Sequence, residues 1–330
     1  SLPGSIRRLL KGFAHALGLA RLVARVIKRP PDVVHFQWTV VPPLDAVAMV
    51  LIRIWSPVVL TVHDTVPFNG ETPSVLQRLL WDLPCTLADR IIVHTHAGRD
   101  ELRRRGVDVA KVLVIPHGPL RLREQVVAPP RSDLLAKPVT FVLFGELKRY
   151  KGIDLLIEAI ATLPRDVRAR ARFVIAGRPR MELDPIVNRI AALQLNDTID
   201  LHPRRFTERE MAELFARADC FLFPYRQIDA SGVYFLVNSL AKWIIATKVG
   251  VFAEELDEGG RGELIPPNDV AALAGAIERA VIERPVPQLP PPGRSWVNIA
   301  QATRQAYLQA RLARWPATAT AELSPEERSA

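Results

Sequence analysis

The run Phe144-Gly-Glu-Leu-Lys-Arg-Tyr-Lys-Gly152 follows a stretch of apolar and β-branched residues and leads into Ile153-Asp-Leu-Leu156. Glycine at a strand end lets backbone come close to a ligand, and Lys148 and Lys151 add positive charge there. Gly145, Lys148, Lys151 and Gly152 therefore suit a diphosphate whose negative charge grows as it departs. The plainer alternative is a surface turn with solvated lysines. A second run, Phe223-Pro-Tyr225-Arg226-Gln-Ile-Asp229-Ala-Ser231-Gly232, closes one apolar stretch and opens a helix at Ser231–Gly232. A helix start offers unpaired N–H groups to an anion, and Asp229 can accept hydrogen bonds from sugar hydroxyls. Alternatively, Asp229 or Ser231 simply caps that helix. Histidines close three further apolar runs: His35 in Val33–Trp38, His63 in Leu60–Asp64 and His117 in Ile115–Gly118. Three histidines on one rim resemble a metal cluster, but no Cys or acidic residue stands at ligand spacing from them. No Asp-x-Asp pair occurs in the chain, so we expect no divalent cation holding a ligand.

These residues need strands and helices in alternation to position them. Predicted strands are Val33–Phe36, Val58–Val62, Ile91–His94 and Val112–Ile115, with helices at Leu44–Ile54, Ser74–Leu87 and Gly98–Arg105. The proline-bearing run Leu122–Pro138 reads as a linker. A second series follows: strands Val139–Phe144, Arg172–Ala176, Ile199–His202, Cys220–Phe223 and Ile244–Thr247, with helices Ile153–Leu163, Glu182–Leu193, Glu208–Arg217 and Gly232–Leu240. Helix Val270–Glu283, a proline-rich stretch at Pro285–Pro292, a last helix Trp296–Arg314 and a polar, disordered tail complete the chain. The alternation implies right-handed crossovers and parallel sheets in an α/β chain of two doubly wound, Rossmann-like domains facing a cleft, with ligands at the C-terminal strand ends. The boundaries expected are 1–121 for the N-terminal domain, 122–138 for the linker, 139–293 for the C-terminal domain, 294–315 for the last helix, and 316–330 for the tail. The first domain opens on a helix and has about four strands. We therefore expect one or two βα units, roughly 30 residues each, to be missing before it.

The 330 residues are 48% hydrophobic and 24% charged, which excludes disordered and low-complexity classes. Two cysteines, Cys85 and Cys220, build neither a disulfide framework nor a four-ligand zinc site, and suit a reducing compartment. Apolar runs such as Ala46–Ile52 fall far short of the roughly 20 residues of a spanning helix, and no signal peptide is recognisable. The net charge of +9 points to an anionic partner. Arg7, Arg8, Lys11, Arg21, Arg25, Lys28 and Arg29 fall in the first thirty residues with no acidic residue among them. Leu9, Leu10, Phe13, Leu17, Ala20 and Ala24 recur there at helical spacing. Such a helix can lie in the headgroups of an anionic membrane or rest its apolar stripe on a sheet. Nucleic acid is not expected, since there is no aromatic-interleaved basic stripe and no recognition motif.

Taken together, these segments resemble the GT-B glycosyltransferases, in particular the large retaining family 4, from about Pro31 to Tyr307. The family's phosphate motif is matched by Gly145, Lys148 and Lys151-Gly152. A bacterial branch with Phe-Gly-x-Ile-Arg-x-Tyr-Lys-Gly and Pro-Tyr-Arg-x-x-x-x-Ser-Gly motifs is similar. Thr61–Asp64, Pro116–Gly118, Lys242–Gly250 and Trp296-Val-Asn-Ile-Ala with Tyr307 match its other segments in order. The resemblance implies transfer of a sugar from a nucleoside diphosphate sugar, as donor substrate and with no cofactor or metal, to a glycan or polyprenyl-linked acceptor hydroxyl. It implies His63, Lys148, Lys151 and Asp229 as catalytic residues, and Gly145, Gly152, Tyr225, Arg226, Ser231, Gly232 and His117 as further donor-binding residues. The leaving phosphate would itself take the acceptor proton. In that context the basic N-terminal helix implies a protein peripheral on the cytoplasmic face of the membrane, in polysaccharide or glycolipid synthesis.

The family's N-terminal Gly-rich loop is not found in this sequence, and several positions depart from its pattern. The Glu-x7-Glu pair begins with Asp229 and ends at Val237, so the ribose-binding carboxylate is absent. Glu146 stands where many members have a phosphate-binding arginine, and Trp243 and Lys248 replace a common proline and aspartate. Two other readings stay open: a glycosyltransferase-like binding or scaffold protein without catalysis, and another GT-B enzyme such as a nucleotide-sugar epimerase.

Overall fold

A computed structural model describes residues 4–65, 80–124, 126, 137–256, 260–288 and 295–315. The chain divides into two compact units, with the breaks between Pro116 and His117 and between Ser295 and Trp296. The first unit holds the described residues before His117 together with the C-terminal helix. The second holds those of His117–Ser295.

The first unit is built on four parallel strands in the order β1 (Val34–Phe36), β2 (Val58–Val62), β3 (Arg90–Val93) and β4 (Val112–Val114). Alternation of side chains sends Val58, Leu60, Ile91 and Val93 to one face and Val59 and Ile92 to the other. The first face is covered by helices α1 (Gly4–Lys28), α2 (Pro42–Ile52), α3 (Leu83–Leu87) and α4 (His96–Arg104), through Val26, Met49, Ile52, Cys85 and Leu102. Thr95 starts α4 by accepting a hydrogen bond from the Gly98 amide. The second face is closed by the last helix, α12 (Trp296–Arg314), whose Ala306 and Ala310 are buried against Val59, Ile92 and Ile115. One turn apart, these two small residues let the helix backbone come close to the sheet.

The side of α1 that meets the core differs from the stripe expected from the sequence. Leu19, Leu22, Val23 and Val26 pack on the sheet. Leu9, Leu10, Phe13 and Leu17 are instead exposed, Leu9 by 74% and Phe13 by 70%, and Ala20 and Ala24 lie on the exposed side with them. The helix carries two apolar flanks, and periodicity alone does not say which one the sheet takes.

In the second unit six parallel strands run in the order β10 (Gly262–Ile265), β9 (Trp243–Thr247), β8 (Cys220–Phe223), β5 (Val139–Phe144), β6 (Ala171–Ala176) and β7 (Ile199–His202). The winding reverses between β5 and β8. This topological switch point is where open α/β sheets leave a crevice beyond their carboxyl ends. Helices α5 (Ile153–Thr162), α6 (Arg165–Ala169), α7 (Asp184–Ala192) and α11 (Val270–Glu283) contribute to the apolar core on one face. Helices α8 (Glu208–Arg217), α9 (Gly232–Val237) and α10 (Gly250–Glu255) flank an aromatic core on the other, containing Phe215, Phe221, Phe223, Tyr225, Tyr234 and Phe252.

Helices α6 and α10 and strand β10 are additions to the sequence reading, and α9 stops at Val237 rather than Leu240. Of the expected Ser74–Leu87 helix, the part before Leu80 lies outside the described residues. So do most of the expected linker, Leu289–Pro292 of the proline-rich stretch, and the tail. Among the described residues no helix is long and apolar enough to cross a membrane.

Candidate functional site

Both motif loops of the second unit leave neighbouring strands at the switch point. After β5 the chain passes through Gly145, makes a single tight turn at Arg149–Lys151, and enters α5 through Gly152. Gly152 has φ 68°, and a Cβ there would lie 2.1 Å from the Pro224 carbonyl oxygen. Only glycine therefore lets the loop leaving β8 settle on this turn. The contact is extended by the Arg226 amide, which donates to the Tyr150 carbonyl at 2.7 Å.

Lys151 points inward and is only 4% exposed. Its Nζ donates to the Phe144 carbonyl at 3.0 Å and lies 5.2 Å from the centre of the Tyr225 ring. It occupies the space a side chain at Gly145 would need, 2.6 Å from that Cβ position. Burial, and after it the charge of Lys148, lowers the Lys151 ammonium pKa from 10.5 to about 7, with Glu146 acting in the opposite direction. Nζ of Lys148 lies 3.5 Å from Glu146, and Glu146 also accepts from Arg180 Nε at 2.8 Å. Partial burial would raise the Glu146 carboxyl, but the Arg180 hydrogen bond and the charges of Lys148 and Arg180 hold it below the usual range. The strand end thus presents a buried amine that changes charge near neutral pH beside a second cation held by a carboxylate.

The remaining expected donor-binding residues of this unit have other surroundings. Tyr225 is buried among Tyr150, Phe223 and Phe252, so it is a core aromatic under Lys151 rather than an open platform. Arg226 holds Asp154 in a two-point pair at 2.7 and 3.0 Å and donates to the Arg149 carbonyl. It clamps the two loops together, and its guanidinium is committed to that task. Ser231 caps α9 by accepting from the Tyr234 amide, as the simpler sequence reading allowed, and Gly232 follows it at the surface. Asp229 is half-buried in the same loop, where its carbonyl accepts from the Val251 amide at 2.9 Å. His117 stacks on Phe235 with ring centres 4.6 Å apart, and its Nδ1 donates to the Gly118 carbonyl. Val237 is fully buried on α9.

The first unit has its own cluster at the strand ends. His63 after β2 is stacked on Trp38, centres 4.2 Å apart and 17° from parallel. Its Nδ1 lies 3.0 Å from Nε2 of His94, the residue after β3. The Nδ1 of His94 donates to the Ile115 carbonyl at 2.9 Å. His35 belongs to a separate network: its two nitrogens lie 2.8 Å from Tyr307 Oη and 2.8 Å from Thr61 Oγ1. Burial lowers the His35 pKa and raises that of Tyr307. His35, His63 and His117 therefore each have different partners, and among the described residues no three His, Cys, Asp or Glu side chains gather as metal ligands would.

Sequence reasoning did not single out His94, Arg180 or Gly177. Gly177 follows β6 with φ 143°, and a Cβ there would fall 1.8 Å from the Gly145 carbonyl oxygen, so it sets how closely β6 flanks the Gly145–Gly152 turn. The signal for Gly177 is its place one residue past the predicted strand Arg172–Ala176, the criterion that selects Gly145 and His63, whereas His94 closes the predicted strand Ile91–His94 and lies one residue past the observed one.

Residues 129–289 match the family model described as Glycosyl transferases group 1, and residues 1–118 match Glycosyltransferase Family 4. A GDP-mannose:glycolipid 4-beta-D-mannosyltransferase of Xanthomonas campestris pv. campestris is 28% identical over 179 residues, 52% of this chain and 49% of the relative. The chain thus spans about half the length of that relative. A D-inositol 3-phosphate glycosyltransferase of Pseudarthrobacter chlorophenolicus is 24% identical over 82% of this chain and 67% of its own length. Among solved structures, Anabaena Alr3699/HepE in complex with UDP superposes with a TM-score of 0.64 at 18% identity, covering 90% of this chain and 76% of that one; at that identity the likeness is one of fold. Two parallel Rossmann-like sheets, a glycine- and lysine-bearing turn at the switch point of the second, and two family matches that together span most of the sequence lead to one assignment: the chain belongs to the family 4-like glycosyltransferases of the GT-B fold.

Proposed function

We propose that this chain transfers a sugar from a nucleoside diphosphate donor to an acceptor hydroxyl, with retention of anomeric configuration. The observation that carries the proposal is the switch-point turn, where buried Lys151 and neighbouring Lys148 stand together at the carboxyl end of β5. In the reaction the bond between the anomeric carbon and the diphosphate oxygen breaks, and the acceptor oxygen bonds to that carbon. The acceptor's proton passes to the departing diphosphate. Lys148 and Lys151 are assigned to the growing charge on the leaving group, the main electrostatic contribution to the rate. His63 and Asp229 are assigned to the hydroxyls of the donor sugar.

The acceptor class we propose is a glycan or polyprenyl-linked saccharide at the cytoplasmic face of a membrane. Glycolipid and inositol phosphate acceptors in the names of the relatives support this reading. So does the exposed flank of α1, where Ile6, Leu9, Leu10, Phe13 and Leu17 stand alongside exposed Lys11, Arg21, Arg25 and Lys28. Co-flotation with vesicles containing anionic lipid, lost on Phe13→Glu, tests the docking. Recovery of the protein only in the soluble fraction argues against it.

A thermal-shift screen of nucleoside diphosphates and their sugars tests the donor assignment, since any ligand bound by the native state raises the melting temperature. Stabilisation by one base over the others, abolished by Lys151→Ala, is expected. No stabilisation by any nucleoside diphosphate refutes it. The buried Val237, in place of a ribose-binding carboxylate, favours one second reading, a binding protein without catalysis. Donor turnover that disappears on Asp229→Ala excludes that reading.

A further inference from the structure

The first unit carries a histidine pair whose geometry leaves little freedom in where its protons sit. A carbonyl oxygen can only accept, so the 2.9 Å contact from His94 Nδ1 to the Ile115 carbonyl requires a proton on that nitrogen. Neutral His94 therefore has its lone pair on Nε2. The 3.0 Å approach between His94 Nε2 and His63 Nδ1 is a hydrogen bond only with one proton between them. With His94 neutral that proton comes from His63. We propose that His94 is a positioning residue that fixes neutral His63 as its Nδ1–H tautomer, with the Nε2 lone pair as an acceptor.

The ring orientation is held from both sides. Trp38 stacks on His63 at 4.2 Å, and His94 meets the same ring at 4.8 Å with a 48° tilt. The Ile115 carbonyl that orients His94 is itself fixed, because Ile115 extends the ladder by donating its amide to the Val93 carbonyl at 2.9 Å. The order is thus backbone carbonyl, His94, His63, in which each group sets the proton position on the next, as a hydrogen-bond partner on one ring nitrogen does for the other in liganding and catalytic histidines. The sequence places these groups one residue past the ends of three adjacent strands, β2, β3 and β4, so the parallel register brings them together.

The consequence for chemistry rests on the proposed sugar transfer. An Nδ1–H His63 accepts a hydrogen bond at Nε2 from a donor-sugar hydroxyl, whereas the tautomer common for histidine in water would donate one.

The test reads the tautomer directly and does not depend on activity. In the full chain labelled with 15N-histidine, at a pH where His63 is neutral, we expect His63 Nδ1 to resonate as a protonated and Nε2 as an unprotonated nitrogen. Assignment follows from the signals lost in His63→Gln. His94→Phe, which removes the acceptor, is expected to return His63 to the Nε2–H form. His94→Gln supplies an amide oxygen and is expected to keep the Nδ1–H form, and it serves if the phenylalanine variant does not fold. A wild-type His63 with unprotonated Nδ1, or one whose nitrogen shifts stay the same in His94→Phe, overturns the proposal. Where transfer is measurable, His94→Phe should lower kcat on the order of 10–100-fold with a smaller change in donor KM, and His94→Gln should restore most of it. Loss of the tautomer without loss of kcat would leave His94 a structural residue and overturn the positioning role. A protein with the predicted tautomer but no transferase activity would sink the proposed reaction alone.

Discussion

Replacing Lys151 by methionine should make the unliganded protein more stable while abolishing the nucleoside diphosphate binding proposed for it. The side chain is 4% exposed, and its ammonium pKa falls from 10.5 to about 7 on folding, chiefly through burial. At pH 7 and below, that difference costs the folded state on the order of 5 kcal/mol. Methionine fills similar space without the charge, but leaves the Phe144 carbonyl without the Nζ donor at 3.0 Å, a loss of about 1–3 kcal/mol. The net expectation is a gain of roughly 2–4 kcal/mol at pH 7. Between about pH 7 and 10.5 the unfolded chain keeps the Lys151 proton and the native state has lost it, so wild-type stability rises with pH across that window. From pH 7 to 9 this amounts to about 2 kcal/mol for the wild type and to none from this site in the variant. Urea unfolding of both proteins at pH 7 and pH 9, followed by circular dichroism, measures the difference. A variant less stable than wild type at pH 7, or a gap that stays constant between the two pH values, refutes the reasoning.

The same amine predicts proton uptake on ligand binding. At pH 8 Lys151 is mostly neutral, a bound diphosphate restores its charge, and calorimetry in buffers of different ionisation enthalpy should register up to about one proton gained; equal heats in Tris and HEPES argue against it. Glu146→Gln releases Lys148 and Arg180 from their carboxylate. It should tighten nucleoside diphosphate binding by up to about fivefold at low salt, with the gain shrinking as salt rises, and weaker binding at low salt would contradict the pairing. Gly152→Ala forces a side chain to within 2.1 Å of the Pro224 carbonyl at φ 68°. It should cost about 3 kcal/mol or more and lower the melting temperature by several degrees, whereas an unchanged melting curve would mean that the β5 and β8 loops do not touch there.

Strand positions were legible where the chain buries both faces of a sheet. Val58–Val62, Val139–Phe144 and Cys220–Phe223 have the same ends in the sequence reading and in the structure, because short β-branched or aromatic runs bounded by polar residues suit a parallel strand buried on both faces; the half-exposed edge strand Ile199–His202 has matching ends as well. Gly262–Ile265 was not legible. It is a four-residue edge strand that opens on glycine and carries a glutamate, so it lacks a β-branched run, and among the described residues it pairs only with β9. Helix Gly250–Glu255 is too short to show a period. In the site, the Gly145–Gly152 turn could be read locally because its glycines and lysines are close in sequence. The partners that decide its charge state could not. Arg180 reaches Glu146 across 34 residues and Arg226 reaches Asp154 across 72, and no local pattern encodes such pairings. On α1, periodicity leaves open whether the Leu9–Ala24 stripe rests on the sheet or stays outside it; the sheet takes the other flank, through Leu19, Leu22, Val23 and Val26.

Helix α12 belongs to the first unit although the whole second unit precedes it in the chain. During synthesis the sheet face formed by Val59, Ile92 and Ile115 must wait for Ala306 and Ala310, about 190 residues later, before it is covered. At ribosomal speeds of about 5–20 residues per second, that apolar face stays bare for roughly 10–40 s. A nascent chain in that condition is a natural client for chaperones that hold hydrophobic surface, and a stop codon just before the final helix would strand the early half of the protein as an aggregation-prone intermediate.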